Sequence, residues 1–350
     1  MTQGKIRMIK VLVVDDSLVM RKMISRMLSK DNAVEVVGTA VDGRDALEKV
    51  ESLKPDVITM DVEMPVMNGI EALKQIMAKD PVPVIIMSAL TREGAEITME
   101  ALQLGACDFV TKDFGNIGGT LAAKEAEIIT KVKNVARNKV KFLLRKLDIR
   151  EKKPAVISPD QKIRHEVLAI GASTGGPPAL QHILTSLPKA FPVPIVIAQH
   201  MPKIFTQSFS QRLDAVSQLH VKEAEDGETL VSGVAYIAPG NSHMAVKRKG
   251  RIVSVQFNEG TQYIYRPSVD LLMATTAGAY GRQSFGVILT GMGNDGLAGM
   301  KEMRAKGGYI VAQDEETCVV FGMPKAVIAA NLADAVLPID KISEEIMRVL

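Results

Sequence analysis

Short β-branched apolar runs alternate with segments whose apolar residues recur every three or four positions, and the chain does this twice. In the first half, Ile9–Val14, Val34–Thr39, Val57–Met60, Val82–Met87 and Phe109–Thr111 predict strands. Between them, Met20, Met23, Ile24, Met27 and Leu28 fall at helical spacing, then Ala46, Leu47 and Val50, then Ile70, Leu73 and Met77, then Met99, Leu102 and Leu104. Methionines at that spacing read as core filler. Strand–helix alternation predicts a parallel sheet with helices on both faces and ligands at the carboxyl ends of its strands.

A second alternation begins at Glu166. Strands are predicted at Val167–Gly171, Pro194–Gln199, Val234–Ala238, Phe285–Thr290 and Tyr309–Ala312. Helices are predicted at Pro178–Leu187, Phe205–Val216, Val269–Tyr280, Leu297–Lys306 and Lys325–Leu332. His243–Val246, a turn at Lys247–Gly250 and Ile252–Phe257 read as a hairpin inserted into the α/β order. The fold class expected is α/β, with two doubly wound parallel-sheet domains and an antiparallel hairpin added to the second. From about Leu121 to Arg164 a basic amphipathic pattern gives way to a proline-bearing stretch without periodicity, so a helical, basic interdomain linker is expected at 126–164.

Composition narrows the class. A length of 350 residues allows two or three domains, and 47% hydrophobic with 24% charged residues is ordinary for a globular chain. A net charge of +3 makes no case for nucleic acid. Cys107 and Cys318 form no metal-type spacing, which fits a reduced, cytoplasmic chain. The run Val11–Val14 is cut off by Asp15-Asp16, so no secretory signal is read, and no apolar run is long enough for membrane insertion.

The predicted strand ends of the first half carry chemistry. The first strand runs into Asp15-Asp16, the third into Asp61, the fourth into Ser88 and the fifth into Lys112. Three carboxylates converging on one edge call for a cation, and oxygen ligands suit Mg²⁺. Lys112 and the Ser88 hydroxyl can neutralise and bind phosphoryl oxygens, which leaves Asp61 as a nucleophile able to form an aspartyl phosphate. Single acids at strand ends often only cap helices; the matched set argues for more.

In the second half, Gly171-Ala172-Ser173-Thr174-Gly175 fits G-x-S-x-G, a strand–turn–helix pattern that exposes a nucleophilic serine. A glycine-rich connection or a phosphate loop would also fit that stretch. A dinucleotide site asks for an acid at the end of the second strand, where Gln199-His200 stands instead. If the strands are neighbours, Ser173, His200 and Asp295 meet on one edge as nucleophile, base and orienting acid. The order Ser, His, Asp departs from that of the α/β-hydrolases. His165, His182, His220 and His243 lack this strand-end context, although His243 on the hairpin could still approach the site. The backbone N–H of glycine-flanked Met292 suits an oxyanion hole.

Residues 9 to about 125 resemble the receiver domain of bacterial response regulators. The resemblance implies a flavodoxin-like fold, with Asp61 as phosphoacceptor, Asp15 and Asp16 as the acidic pair, the Glu63 carbonyl as a further Mg²⁺ ligand, Ser88 as switch hydroxyl, Phe109 as switch aromatic and Lys112 as the phosphoryl-binding lysine. One departure is Lys112-Asp113, where the family has Lys-Pro, often cis. A cis bond before a non-proline costs about 2.5–4 kcal/mol, so either the cost is met locally or the turn differs. From about 166 onward the chain resembles the catalytic domain of the chemotaxis protein-glutamate methylesterase (CheB) family, a Rossmann-like domain. That resemblance rests on Gly171–Gly176, Ala198–Met201, Tyr236–Gly240, Arg266–Asp270 and Thr290–Gly296. It implies domains at 1–125 and 165–350, with Ser173, His200 and Asp295 catalytic and Thr174 and Met292 on the oxyanion side. The implied activity is demethylation of glutamate methyl esters, with deamidation of glutamines, on methyl-accepting chemotaxis receptors. Phosphorylation by a chemotaxis (CheA-like) histidine kinase would control it, and no cofactor is expected for the ester chemistry.

Overall fold

The computed structural model describes residues 8–113, 121–137, 164–260 and 262–350. The chain divides into two compact units, residues 1–149 and 150–350. In the first, β1 (Ile9–Val14), β2 (Val34–Ala40), β3 (Val57–Asp61), β4 (Val84–Ser88) and β5 (Asp108–Thr111) form one sheet in the order β2-β1-β3-β4-β5. Every pair is parallel, which is the flavodoxin-like winding. β4 starts two residues later than expected, after Pro83, whose missing N–H suits the end of a strand better than its interior.

The helices α1 (Leu18–Leu28), α2 (Gly43–Leu53), α3 (Gly69–Lys79) and α4 (Arg92–Gln103) each begin on a side-chain cap, from Ser17, Asp42, Asn68 and Thr91 respectively. Each turns its apolar stripe to the sheet; α3, for example, buries Ile70, Leu73, Ile76 and Met77. Helix α5 (Leu121–Arg137) buries Ile128, Val132 and Val135 and pairs Lys133 with Asp31 of the α1–β2 turn at 2.7 Å. The remainder of the expected linker, 138–163, lies outside the described residues.

The second unit is built on β6 (Val167–Ala172), β7 (Ile195–Gln199), β8 (His220–Glu223), β9 (Val234–Ile237), β12 (Ser284–Ile288), β13 (Tyr309–Gln313) and β14 (Ala335–Leu337). These form a parallel sheet in the order β14-β13-β12-β6-β7-β9-β8. The first strand of the unit is central; on one side the chain runs through β7 to the edge strand β8 and returns as β9 between them, and on the other it winds outward through β12, β13 and β14. The winding therefore reverses at β6, where a doubly wound sheet opens its binding crevice. The hairpin β10 (His243–Lys249) and β11 (Ile252–Asn258) is a separate antiparallel pair. Lys247 to Lys249 lie in the strand rather than the turn, which is shortened to Gly250-Arg251.

Helices α6 (Gly176–Ser186), α7 (Lys203–Val216), α8 (Val269–Tyr280), α9 (Leu297–Ala305), α10 (Met323–Ala329) and α11 (Ile339–Val349) complete the unit. α6 and α10 start two residues earlier than expected, because their prolines fit the first helical turn. Val269, Leu272, Met273 and Ala277 of α8 pack in one core with Met244, Val246, Val253 and Val255 of the hairpin. The hairpin thus covers α8, whose amino end carries the site. The short strands β8 and β14 and the closing helix α11 were not anticipated. Among the described residues, no helix is long and apolar enough to cross a membrane.

Candidate active site and phosphoacceptor site

The carboxyl ends of β6, β7 and β12 bring Ser173, His200 and Asp295 together. The parallel ladder continues past the strands: Ser173 N–H donates to Thr290 O at 3.1 Å and His200 N–H to Ala172 O at 3.1 Å. His200 Nδ1 lies 3.1 Å from Ser173 Oγ, and Nε2 lies 2.7 Å from Asp295 Oδ2. A carboxylate can only accept, so Nε2 carries the proton and Nδ1 turns its lone pair to the serine. The ring of Tyr265 stacks on the imidazole, with centroids 4.7 Å apart and planes 11° from parallel.

Asp295 is buried, and it is surrounded by donors. Oδ2 also accepts Val269 N–H at 2.8 Å, while Oδ1 accepts Asp270 N–H at 2.9 Å, Gly296 N–H at 3.1 Å and the Ser268 hydroxyl at 3.3 Å. Burial works against its charge. The bond from His200 and those from the first turn of α8 outweigh it and hold the carboxyl below the usual range. The amino end of α8 adds its dipole in the same sense. Asp270 lies in that same first turn, and there burial and the charge of Asp295 push the carboxyl up.

Thr174 is buried beside the serine, and Met292 follows Gly291, whose Cα packs against Ser173. Among the described residues the backbone N–H groups of Thr174 and Met292 have no protein acceptor, so both are free to serve an oxyanion. His243 does not join the relay. Its Nδ1 accepts Ser268 N–H at 3.2 Å and its Nε2 donates to Gly260 O at 3.0 Å, so it anchors the segment that carries Tyr265.

In the sequence Gln199 stands where a dinucleotide site would need an acid and within the Ala198–Met201 block, with no role of its own. Its side chain is in fact buried, and its amide donates to Ser173 O at 3.0 Å and His200 O at 3.1 Å. Tyr265 and Asp270 were likewise given no role by the sequence. A glutamine closing an apolar strand carries no spacing signal for a bond to the backbone; Gln199 in the Ala198–Met201 block and Asp270 in the Arg266–Asp270 block could both have been singled out from those blocks.

In the first unit, ligand oxygens of Asp15, Asp16 and Asp61 lie within 4.8 Å of one another. Asp15 and Asp61 are buried and Asp16 is exposed. Lys112 Nζ lies 2.7 Å from Asp15 Oδ2 and 2.5 Å from Asp61 Oδ2. Burial pushes the Asp61 carboxyl up, against the pull of Lys112. Three carboxylates with one cation leave the cluster short of positive charge, and this hard-oxygen donor set fits Mg²⁺. Arg21 donates to the Asp15 and Asp16 carbonyls at 2.7 and 2.9 Å, a support the sequence reading missed.

The Ser88 hydroxyl is buried, with Gly94 O at 3.2 Å and Thr98 Oγ1 at 2.7 Å. Phe109 is buried under Lys131, whose ammonium lies 5.5 Å from the ring centroid and donates to Phe109 O at 2.6 Å. Glu63 is exposed in the loop after β3. The cis peptide bond among the described residues is Arg266–Pro267, so Lys112–Asp113 is trans and the turn differs from a cis Lys-Pro turn. Asp113 is tied instead to the Thr111 hydroxyl and, at 3.0 Å, to Lys124.

Both halves of the chain have counterparts among known proteins. Residues 11–120 match the family model of the response regulator receiver domain, and residues 168–346 that of the CheB methylesterase. A protein-glutamate methylesterase/protein-glutamine glutaminase of Lawsonia intracellularis is 45% identical over 98% of this chain and 99% of its own length. One of Thermotoga maritima is 46% identical over 98% of this chain and 99% of its own. The crystal structure of the Thermotoga maritima CheB methylesterase catalytic domain is 46% identical, with a TM-score of 0.52 over 53% of this chain and 99% of that one. The chain belongs to the CheB methylesterase family, with a response regulator receiver domain ahead of its catalytic domain.

Proposed function

We propose that this chain hydrolyses glutamate γ-methyl esters on methyl-accepting chemotaxis receptors, and deamidates glutamines there, under control of phosphorylation at Asp61. The observation that carries the hydrolase is the relay from Ser173 Oγ through His200 to Asp295, at 3.1 and 2.7 Å. Ser173 Oγ attacks the ester carbonyl while His200 Nδ1 takes its proton. Asp295 balances the imidazolium that forms. The backbone N–H groups of Thr174 and Met292 receive the carbonyl oxygen as it becomes an oxyanion.

Collapse of the tetrahedral intermediate expels methoxide, which leaves as methanol with the proton held on His200 Nδ1. Water then enters, gives a proton to the same nitrogen and attacks the acyl-enzyme, freeing a glutamate carboxylate and Ser173. One ester and one water become one acid and one methanol. On a glutamine the leaving group is ammonia, and proton donation by His200 matters more, because an amide nitrogen leaves poorly unprotonated.

In the receiver domain, the carboxylates of Asp15, Asp16 and Asp61 with the Glu63 carbonyl would hold Mg²⁺, which when bound offsets charge on a transferring phosphoryl group. Asp61 takes the phosphoryl group from a chemotaxis histidine kinase. Lys112 pairs with the phosphoryl oxygens, and Ser88 turns from Gly94 to donate to one of them.

Methanol release from methylated receptor membranes, with and without acetyl phosphate, tests the reading. Release that rises with acetyl phosphate, is lost in Ser173→Ala and stays at its basal level in Asp61→Asn is the expected outcome. Turnover retained in Ser173→Ala overturns the hydrolase assignment, and activation retained in Asp61→Asn overturns the control. Chelating Mg²⁺ should abolish labelling of Asp61 while leaving basal methanol release in place.

A further inference from the structure

We infer that Gln199 is a positioning residue that sets the spacing of the nucleophile and the base, and that Gly176 is glycine in order to admit it. The inference rests on the assignment of Ser173 and His200 made above. Gln199 ends β7, immediately before His200, and its side chain turns inward. Its single Nε2 reaches Ser173 O at 3.0 Å and His200 O at 3.1 Å, so one amide holds the main chains of both reacting residues. Ser173 O accepts a second bond, from Gly176 N–H at 2.8 Å, which binds the nucleophile turn to the start of α6.

The other end of the amide explains Gly176. Oε1 of Gln199 is buried without a hydrogen-bond partner and lies against Gly176, where a Cβ would stand 2.0 Å from Oε1, its nearest contact, and 2.9 Å from both Gln199 Cδ and Ala172 Cβ. Any side chain at 176 would push the amide off its two carbonyls. An unpartnered carbonyl oxygen in a buried place is costly. Here it accompanies a fixed amide orientation: turned over, the amide would set Oε1 against two carbonyl oxygens.

A relay of two hydrogen bonds works only when Ser173 Oγ and His200 Nδ1 stay in line, and a misplacement of about 1 Å can cost on the order of 10²-fold in rate. Loss of the Gln199 donor should therefore lower kcat rather than substrate affinity. Gln199→Met keeps the bulk of the side chain and removes the donor. Gln199→Glu keeps its shape and sets an oxygen against the carbonyls.

The experiment measures methanol release from methylated receptor membranes for the full chain and for Gln199→Met, Gln199→Glu, Gly176→Ala, Gln199→Ala and the Gly176→Ala/Gln199→Ala double variant, with Ser173→Ala alongside and folding checked by thermal unfolding. The expected result is a kcat lower by about 10–100-fold in Gln199→Met and Gln199→Glu, with KM within about twofold. Gly176→Ala should be impaired in the native chain and less so in the Gln199→Ala background, where the 2.0 Å contact with the amide oxygen is gone and only that with Ala172 Cβ at 2.9 Å remains. Should Gln199→Met fail to fold, Gln199→Glu and the Gly176 pair carry the test.

Native turnover in the folded Gln199 variants, or an equal Gly176→Ala penalty in both backgrounds, would overturn the inference while an inactive Ser173→Ala left the hydrolase reading standing. Turnover retained in Ser173→Ala would instead remove that reading and the inference together.

Discussion

Asp270 and Asp295 cap one another's helices. Asp295, just before α9, accepts the N–H groups of Val269 and Asp270 in the first turn of α8, at 2.8 and 2.9 Å. Asp270 in turn accepts Gly296 and Gly299 N–H at the start of α9, both at 2.9 Å on the same oxygen. The two helix starts are thereby held at a fixed offset, and the carboxylate that orients His200 is part of the clasp. Their charges oppose each other, which makes the two aspartates unlike in their dependence on pH.

Replacing Asp270 by Ala removes a cap, and about 1 kcal/mol of stability should go with it. Asp270→Asn should keep most of the clasp, because one carbonyl oxygen can accept both N–H groups. The folded-state value of Asp270 is raised, so the native state holds its proton more tightly than the unfolded chain. Stability is then lost as pH rises from the unfolded value of about 4 through the folded one. Asn at 270 removes that slope, and its stability relative to the native chain should improve from pH 4 to pH 7. Denaturant unfolding at both pH values measures it; a variant whose deficit grew with pH would contradict the account.

Tyr265 stacks on His200 with centroids 4.7 Å apart and covers one face of the imidazole. A stacked pair contributes about 0.5–1.5 kcal/mol, so Tyr265→Leu should lower turnover by roughly 2- to 10-fold. Tyr265→Phe keeps the ring and should keep most of the rate. Steady-state methanol release separates the two, and equal losses in both would assign the effect to the hydroxyl instead.

The legible parts of this chain are those in which side-chain type and strand position coincide. Runs such as Val167–Ile170 and Ile195–Ala198 are apolar because both faces of a parallel sheet are covered, and the strands' last residues and the loops that follow them are where chemistry can stand. Ser173, His200, Asp295, Asp61, Ser88 and Lys112 could all be picked out on that ground. β8 and β14, of four and three residues, are too short to show a period, and α11 follows β14 with no glycine or proline break other than Pro338. Gln199 and Arg21 act through backbone carbonyls, whose positions no residue spacing encodes. Asp270 sits in a quoted block, yet its partner is a helix start 26 residues away.

The Ser88 hydroxyl must leave Thr98 and the carbonyls of Gly94 and Ala89 before it can meet a phosphoryl group on Asp61. Thr98→Val keeps the shape of the side chain and removes its hydroxyl. One hydrogen bond to the inward position is then gone, a net of about 0.5–1.5 kcal/mol. At sub-saturating acetyl phosphate the ratio of phosphorylated to free chain should rise by about 2- to 10-fold. Phosphate-affinity electrophoresis reads that ratio directly, and a lower ratio than in the native chain would show that Thr98 helps Ser88 to turn outward.

Asp295→Asn should be far more damaging than its near-identical shape implies, because the donors around it decide which way the amide faces. At the Oδ1 position stand two N–H groups, from Asp270 and Gly296, and the Ser268 hydroxyl; at Oδ2 the backbone offers only Val269 N–H. The amide oxygen takes the richer position, which leaves the NH₂ group facing His200 Nε2. That nitrogen must then accept, the proton moves to Nδ1, and the nitrogen facing Ser173 can no longer take its proton. The wrong tautomer of a catalytic histidine costs on the order of 10⁴-fold in kcat, so methanol release should fall by about 10³–10⁴-fold with substrate binding retained. Nitrogen-15 NMR of the His200 ring reads the tautomer independently of rate. A ring still protonated on Nε2 in the inactive variant would move the fault from proton placement to lost charge.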